Sequence, residues 1–122
     1  MNHALQKKVY MDEATGLPNK NKCEELLSAP KMITMPVGVC SFDLNNLRRI
    51  NNSMGHEKGD AYIRIFAELV REAVPAHYFV GRAGGDEFIA IMDGADKEEM
   101  QRCLQLIRDR VTRTMRRTPI FR

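Results

Sequence analysis

Arg82-Ala83-Gly84-Gly85-Asp86-Glu87-Phe88 lies between two strand-like runs, Tyr78 to Arg82 and Phe88 to Met92, and reads as the turn of a hairpin. Adjacent glycines permit backbone angles that cost other residues, so a tight reversal fits at Gly84-Gly85. The carboxylates of Asp86 and Glu87 follow with no bulky side chain before them, which lets a phosphate or a metal ion approach the backbone. A surface turn with solvated acids is the plain alternative. The segments on either side decide between the two.

Upstream, Lys58 to Ala73 carries Tyr62, Phe66, Leu69, Val70 and Ala73 at three- and four-residue spacing and stops before Pro75, the pattern of an amphipathic helix. Downstream, Asp96 with Glu99 resembles a capping box, opening a helix striped by Met100, Cys103, Leu104, Ile107, Val111 and Met115. Residues 36–43 read as a strand. Val37, Val39 and Phe42 with the small Gly38 and Cys40 make it apolar on both faces, as expected of a central strand covered by helices. A helical pattern from Leu44 through Leu47, Ile50 and Met54 meets Gly55, Asn19 to Ser28 forms a short helix, and Leu5 to Tyr10 ends an entering one. The order ααβααββα places the chain in the α/β (α+β) class.

With 122 residues, 43% of them hydrophobic, the chain has the material for one core and no room for a second domain. Charged residues make up 29% with both signs interspersed, so the net +3 is not the basic field of a dedicated nucleic-acid binder. Arg108, Arg110, Arg113, Arg116 and Arg117 read as the solvated face of the last helix, without the interleaved aromatics that would suit nucleic acid. Cys23, Cys40 and Cys103 fit no disulfide framework or zinc spacing, which points to a reducing, cytoplasmic setting. No apolar stretch approaches the roughly 20 residues of a membrane span, and no membrane contact is expected.

A second polar cluster runs from Phe42-Asp43-Leu44-Asn45-Asn46 through Arg48 and Asn51 to Gly55-His56-Glu57-Lys58-Gly59-Asp60. It sets Asp43 at the end of the strand, accessible yet rigidly held, which suits a hard divalent cation. Taken alone, Asp43 also reads as a helix N-cap. A calcium loop fails, because the required glycine is Arg48 and the closing acid is Met54.

Together the two clusters resemble the GGDEF domain family, whose name spells Gly84-Gly85-Asp86-Glu87-Phe88. Asp12-Glu13-Ala14-Thr15-Gly16-Leu17-Pro18-Asn19-Lys20 is similar to that family's opening D-x-L-T-G-L-x-N-R, with Ala14 and Lys20 as departures. The resemblance covers residues 12–122 as one domain, with 1–11 as an entering helix or linker. It implies a palm-like nucleotide-cyclase fold with a mainly antiparallel central sheet flanked by helices. It also implies a diguanylate cyclase activity, in which two domains face each other and join two GTP molecules into cyclic di-GMP, under a sensor domain elsewhere in the full-length protein.

Carried over residue by residue, the resemblance gives magnesium, or manganese in its place, to the carboxylates of Asp43 and Asp86 and the Leu44 carbonyl. Glu87 supports that site, Asp86 helps deprotonate the attacking 3′-hydroxyl, and the Arg48 cation stabilises phosphate charge where the family generally has lysine. Asn51 and Asp60 match guanine readers: a carboxylate accepts from guanine N1–H and the exocyclic amine together, and an amide bonds the remaining edge. His56 falls near the nucleotide.

Asn45 stands where many members have a second aspartate, and Leu47 where phenylalanine is common. The family's later Ser-Ile-Gly-like strand and following helix are missing from these residues, so the expected domain lacks its C-terminal strand and helix. Many members carry an inhibitory product site, R-x-x-D, its arginine nine residues before the signature; here those positions are Pro75 and Tyr78. A non-catalytic GGDEF-like domain that binds GTP or a partner is the alternative function.

Overall fold

The computed structural model describes residues 9–28, 37–44, 52–53 and 55–117, the last three by their backbone alone. Within these, the chain forms α1 (Lys20–Ser28), β1 (Val37–Asp43), α2 (His56–Ala73), β2 (Phe79–Arg82), β3 (Glu87–Asp93) and α3 (Lys97–Arg117). The class is α+β, as expected. The expected helix ending at Tyr10 is seen only at Val9 and Tyr10, and the one from Leu44 to Met54 only at Asn52 and Ser53; residues 5–8, 45–51 and 54 lie outside the described residues.

The three strands form one antiparallel sheet in the order β1-β3-β2. Side chains alternate across a strand, so β3 divides its apolar residues between two layers. Phe88, Ala90 and Met92 join Cys40 of β1 and Tyr62, Phe66 and Val70 of α2 in the larger core, with Cys103 and Ile107 of α3. Phe66 and Phe88 meet there as a tilted ring pair with centroids 5.2 Å apart. Ile89 and Ile91 point the other way and bury Cys23 of α1, flanked by Leu26, Val37 and Phe79. A Cβ on Gly81 would come 2.5 Å from Cys23 Sγ, so the missing side chain lets α1 settle on the sheet.

Among the described residues the middle strand is β3, between β1 and β2. Among the described residues β1 is a sheet edge, and Val39 on its outward face is 50% exposed. Its continuous apolar run suggested cover on both faces; among the described residues α1 packs over β2 and β3, reaches β1 at Val37 and leaves Val39 uncovered. Leu44 is itself not helical; its N–H extends the strand pairing, donating to the Asp86 carbonyl at 2.8 Å. At α2 the helix starts two residues before the expected Lys58, because Gly55, at φ +89°, turns the chain and accepts the Gly59 N–H at 3.2 Å.

At α3 the capping box is half formed. Asp96 Oδ1 accepts the Glu99 N–H at 2.8 Å, as an N-cap should. The Glu99 carboxylate accepts from the Tyr78 hydroxyl at 2.9 Å. That bond ties the start of α3 to the segment before β2.

Candidate active site

Pairing between β1 and β3 assembles the carboxylates. In the antiparallel register Asp43 stands directly opposite Glu87, so both project from the same face of the sheet at its end. The Leu44-to-Asp86 backbone bond carries the ladder one residue further and fixes Asp86 beside Leu44. Asp43, Asp86 and Glu87 are all exposed, whereas Leu44 and Phe88 next to them are buried. Buried neighbours hold the backbone while the acids stay open to a ligand. Ser41, two residues before Asp43 on the same face, donates its hydroxyl to Glu87 Oε1 at 3.4 Å.

The turn between β2 and β3 closes on a shared acceptor: the N–H groups of Ala83 and Gly84 donate to the Glu87 carbonyl at 2.8 and 3.2 Å. Neither signature glycine has the positive φ expected of a glycine-only turn; that backbone occurs at Gly16, Gly55 and Gly94. Their contribution is space. A Cβ on Gly85 would meet nothing within 4 Å, and one on Gly84 would touch only Glu87. The turn thus presents bare backbone beside Asp86.

Asp43, Asp86 and the Leu44 carbonyl are hard oxygen donors of the kind magnesium takes. Among the described residues no three His, Cys, Asp or Glu side chains gather into a metal cluster. Two carboxylates and a carbonyl fit a cation that keeps waters and completes its shell with substrate phosphate, the usual habit of magnesium.

His56 and Asp60 lie one turn apart on the exposed start of α2, a spacing that puts them on one helix face. Among the described residues no hydrogen bond or ion pair joins either to the strand-end acids. The other two expected site residues, Arg48 and Asn51, lie outside the described residues.

Two residues of the site carried no role in the sequence reading. Arg82 Nε donates to the Gly84 carbonyl at 3.2 Å and Nη2 to the Gly85 carbonyl at 2.7 Å. Its Nη1 donates to both carboxylate oxygens of Asp12 at 3.1 Å. Asp12 in turn accepts from the Thr15 N–H at 3.0 Å and the Thr15 hydroxyl at 2.7 Å. The Asp-x-x-Thr spacing signals that local turn. The ion pair across 70 positions has no local signal at all.

Comparison with known proteins bears on the family and the fold. A family model described as diguanylate cyclase, GGDEF domain, matches residues 9–120. A diguanylate cyclase of Vibrio cholerae is 31% identical over 81% of this chain and 32% of its own length. The cyclic di-GMP phosphodiesterase PdeB of Shewanella oneidensis is 34% identical over 72% of this chain but 10% of its own length. The chain therefore spans a third or less of these curated relatives. Among solved structures, the GGDEF domain of DgcB from Caulobacter crescentus in complex with c-di-GMP superposes with a TM-score of 0.73 at 24% identity, covering 81% of this chain and 60% of that one. At that identity the likeness speaks for the fold.

Proposed function

The chain belongs to the diguanylate cyclase GGDEF domain family, and on that premise we propose that it binds GTP and, paired with a second copy, joins two GTP molecules into cyclic di-GMP. The observation that carries this reading is the facing pair Asp43 and Glu87, with Asp86 locked beside Leu44 by the ladder. Forming the product requires each 3′-oxygen to bond to the partner nucleotide's α-phosphorus as pyrophosphate leaves and the hydroxyl proton is taken up. Each subunit binds one nucleotide, so two copies facing each other bring the reacting groups together.

Asp43, Asp86 and the Leu44 carbonyl would hold magnesium, or manganese, which when bound offsets the charge gathered on the phosphates. Asp86 takes the hydroxyl proton, and Glu87 orders the same edge of the site through its place opposite Asp43. The bare backbone at Gly85 leaves room for the phosphate, and Arg48 adds a cation to it. Asp60 accepts from the guanine N1–H and exocyclic amine, Asn51 bonds the remaining edge, and His56, on the Asp60 face of α2, borders the nucleotide. Adenine lacks that donor pair and would leave the Asp60 carboxylate unpaired.

A second reading draws on the Shewanella relative, a phosphodiesterase by name that contains a matching segment. There the domain would bind GTP or a partner and regulate another part of its protein. Incubation with GTP and magnesium separates the two. Cyclic di-GMP in the product mixture supports the cyclase; GTP bound but unconverted supports the regulatory domain.

A further inference from the structure

We propose that Arg82 is the positioning residue of the signature turn, holding its peptides in the orientation that serves the nucleotide, and that Asp12 anchors it. The argument rests on the geometry of a trans peptide. C=O and N–H of one peptide point in opposite directions, so fixing the oxygen fixes the hydrogen. Arg82 holds the carbonyls of Gly84 and Gly85. The N–H groups across those two peptides, on Gly85 and Asp86, are thereby aimed away from the guanidinium. Among the described residues neither has a hydrogen-bond acceptor. A Cβ on Gly85 would meet nothing within 4 Å, so the turn is open on that side. Two adjacent N–H groups directed outward beside Asp86 suit an anionic phosphate oxygen.

Glycine peptides do not hold one orientation by themselves, since they lose the most backbone freedom on ordering. Arg82 supplies the restraint with a planar set of donors, which a lysine ammonium cannot match at three acceptors together. Its own freedom is removed in turn. The side chains of Arg82 and Asp12 are 15% and 20% exposed, and Asp12 is fixed by Thr15. The Arg82 N–H donates to the Pro18 carbonyl at 2.8 Å, closing the same loop onto β2. That loop also grips the segment before it: Asn19 donates to the carbonyls of Tyr10, through its N–H at 2.9 Å, and of Val9, through its side-chain amide at 2.9 Å. The chain leading into the domain is thus connected to the signature turn by a short series of hydrogen bonds.

The ligand in this proposal rests on the GTP reading; the restraint on the turn does not. Backbone 15N relaxation of the protein and its Arg82→Lys variant, well below the melting temperature, reads the restraint directly. The order parameters of the Gly85 and Asp86 amides should fall from about 0.85 to below about 0.6 in the variant, with those of β2 and β3 unchanged. Affinity for GTP with magnesium should fall at least about tenfold, with the circular-dichroism spectrum retained. Unchanged order at Gly85 and Asp86, or order lost throughout the sheet, would overturn the proposal. Asp12→Asn, which weakens the anchor and keeps its shape, carries the same measurement if Arg82→Lys fails to fold. A parent protein that binds no GTP would refute the function proposed above, and the relaxation result would still decide the role of Arg82.

Discussion

Asp43 and Glu87 face each other across the last pair of the β1–β3 ladder, and the next backbone bond runs from Leu44 to Asp86. Strand register, more than loop shape, collects these acids at one end of the sheet. Because they are exposed, they can be changed without opening the core. Asp43→Ala and Asp86→Ala should each lower cyclic di-GMP formation by about a hundredfold or more, the scale for losing one group that stabilises transition-state charge. Stability should move by no more than about 0.5 kcal/mol, as for exposed sites generally. Turnover and thermal melts measured on the same preparations check both; near-parental turnover in either variant would remove that residue from the chemistry.

The proposed function gives Asp60 to the guanine. Replacing it with alanine should weaken GTP binding by about 1–3 kcal/mol, the cost of a lost bond to a polar group removed from water. ATP binding should hardly change, so the preference between the two nucleotides narrows. Calorimetric titration of both nucleotides into both proteins provides the comparison, and equal affinity of the parent for GTP and ATP would contradict the assignment.

Pro75 and Tyr78 occupy the positions of the family's inhibitory R-x-x-D pair, and neither brings its chemistry. Proline has no side-chain donor, and the Tyr78 hydroxyl is engaged by Glu99. Cyclic di-GMP should therefore not slow turnover by binding at residues 75–78. Tyr78→Phe should cost roughly 1 kcal/mol of stability for the lost hydrogen bond and leave the response to product unchanged. Tight product binding mapped to this segment, with slowed turnover, would show otherwise.

Burial between α1 and the sheet pushes the Cys23 thiol up to about 11 from its ordinary 9.0. Cys40 and Cys103 are also raised, chiefly by burial. A thiol that stays protonated in the fold but ionises in the unfolded chain stabilises the fold fully below pH 9 and loses that contribution as pH climbs toward 11. Denaturant midpoints should be insensitive to these thiols at neutral pH and fall across that alkaline window. Thiol reagents at neutral pH should label the native protein slowly and the unfolded protein quickly. Rapid native labelling of Cys23 would place it outside the core.

Much of this was legible in the residues. Apolar spacing located α2 and α3, the glycine pair located the hairpin, and Asp43 and Asp86 fell at strand ends as the two motifs implied. Position among the described strands was not legible, because Val37, Val39 and Phe42 look the same whether or not one of the described helices covers Val39. Nor was the Arg82 restraint, since a bond between residues 12 and 82 leaves no periodicity in the chain. Glu99 shows the same limit at short range. Its spacing from Asp96 fits a capping box, yet Tyr78 recruits its carboxylate from another part of the fold.

Formation of cyclic di-GMP from GTP by this chain is the proposal on which the other assignments depend. The direct test is to incubate the protein with GTP and magnesium and quantify nucleotides and pyrophosphate together, over a range of protein concentrations. Two pyrophosphates should be released per cyclic di-GMP formed, with no product from ATP and a specific activity that rises with protein concentration as copies pair. GTP recovered intact at every protein concentration, with magnesium present and the protein folded, would contradict it.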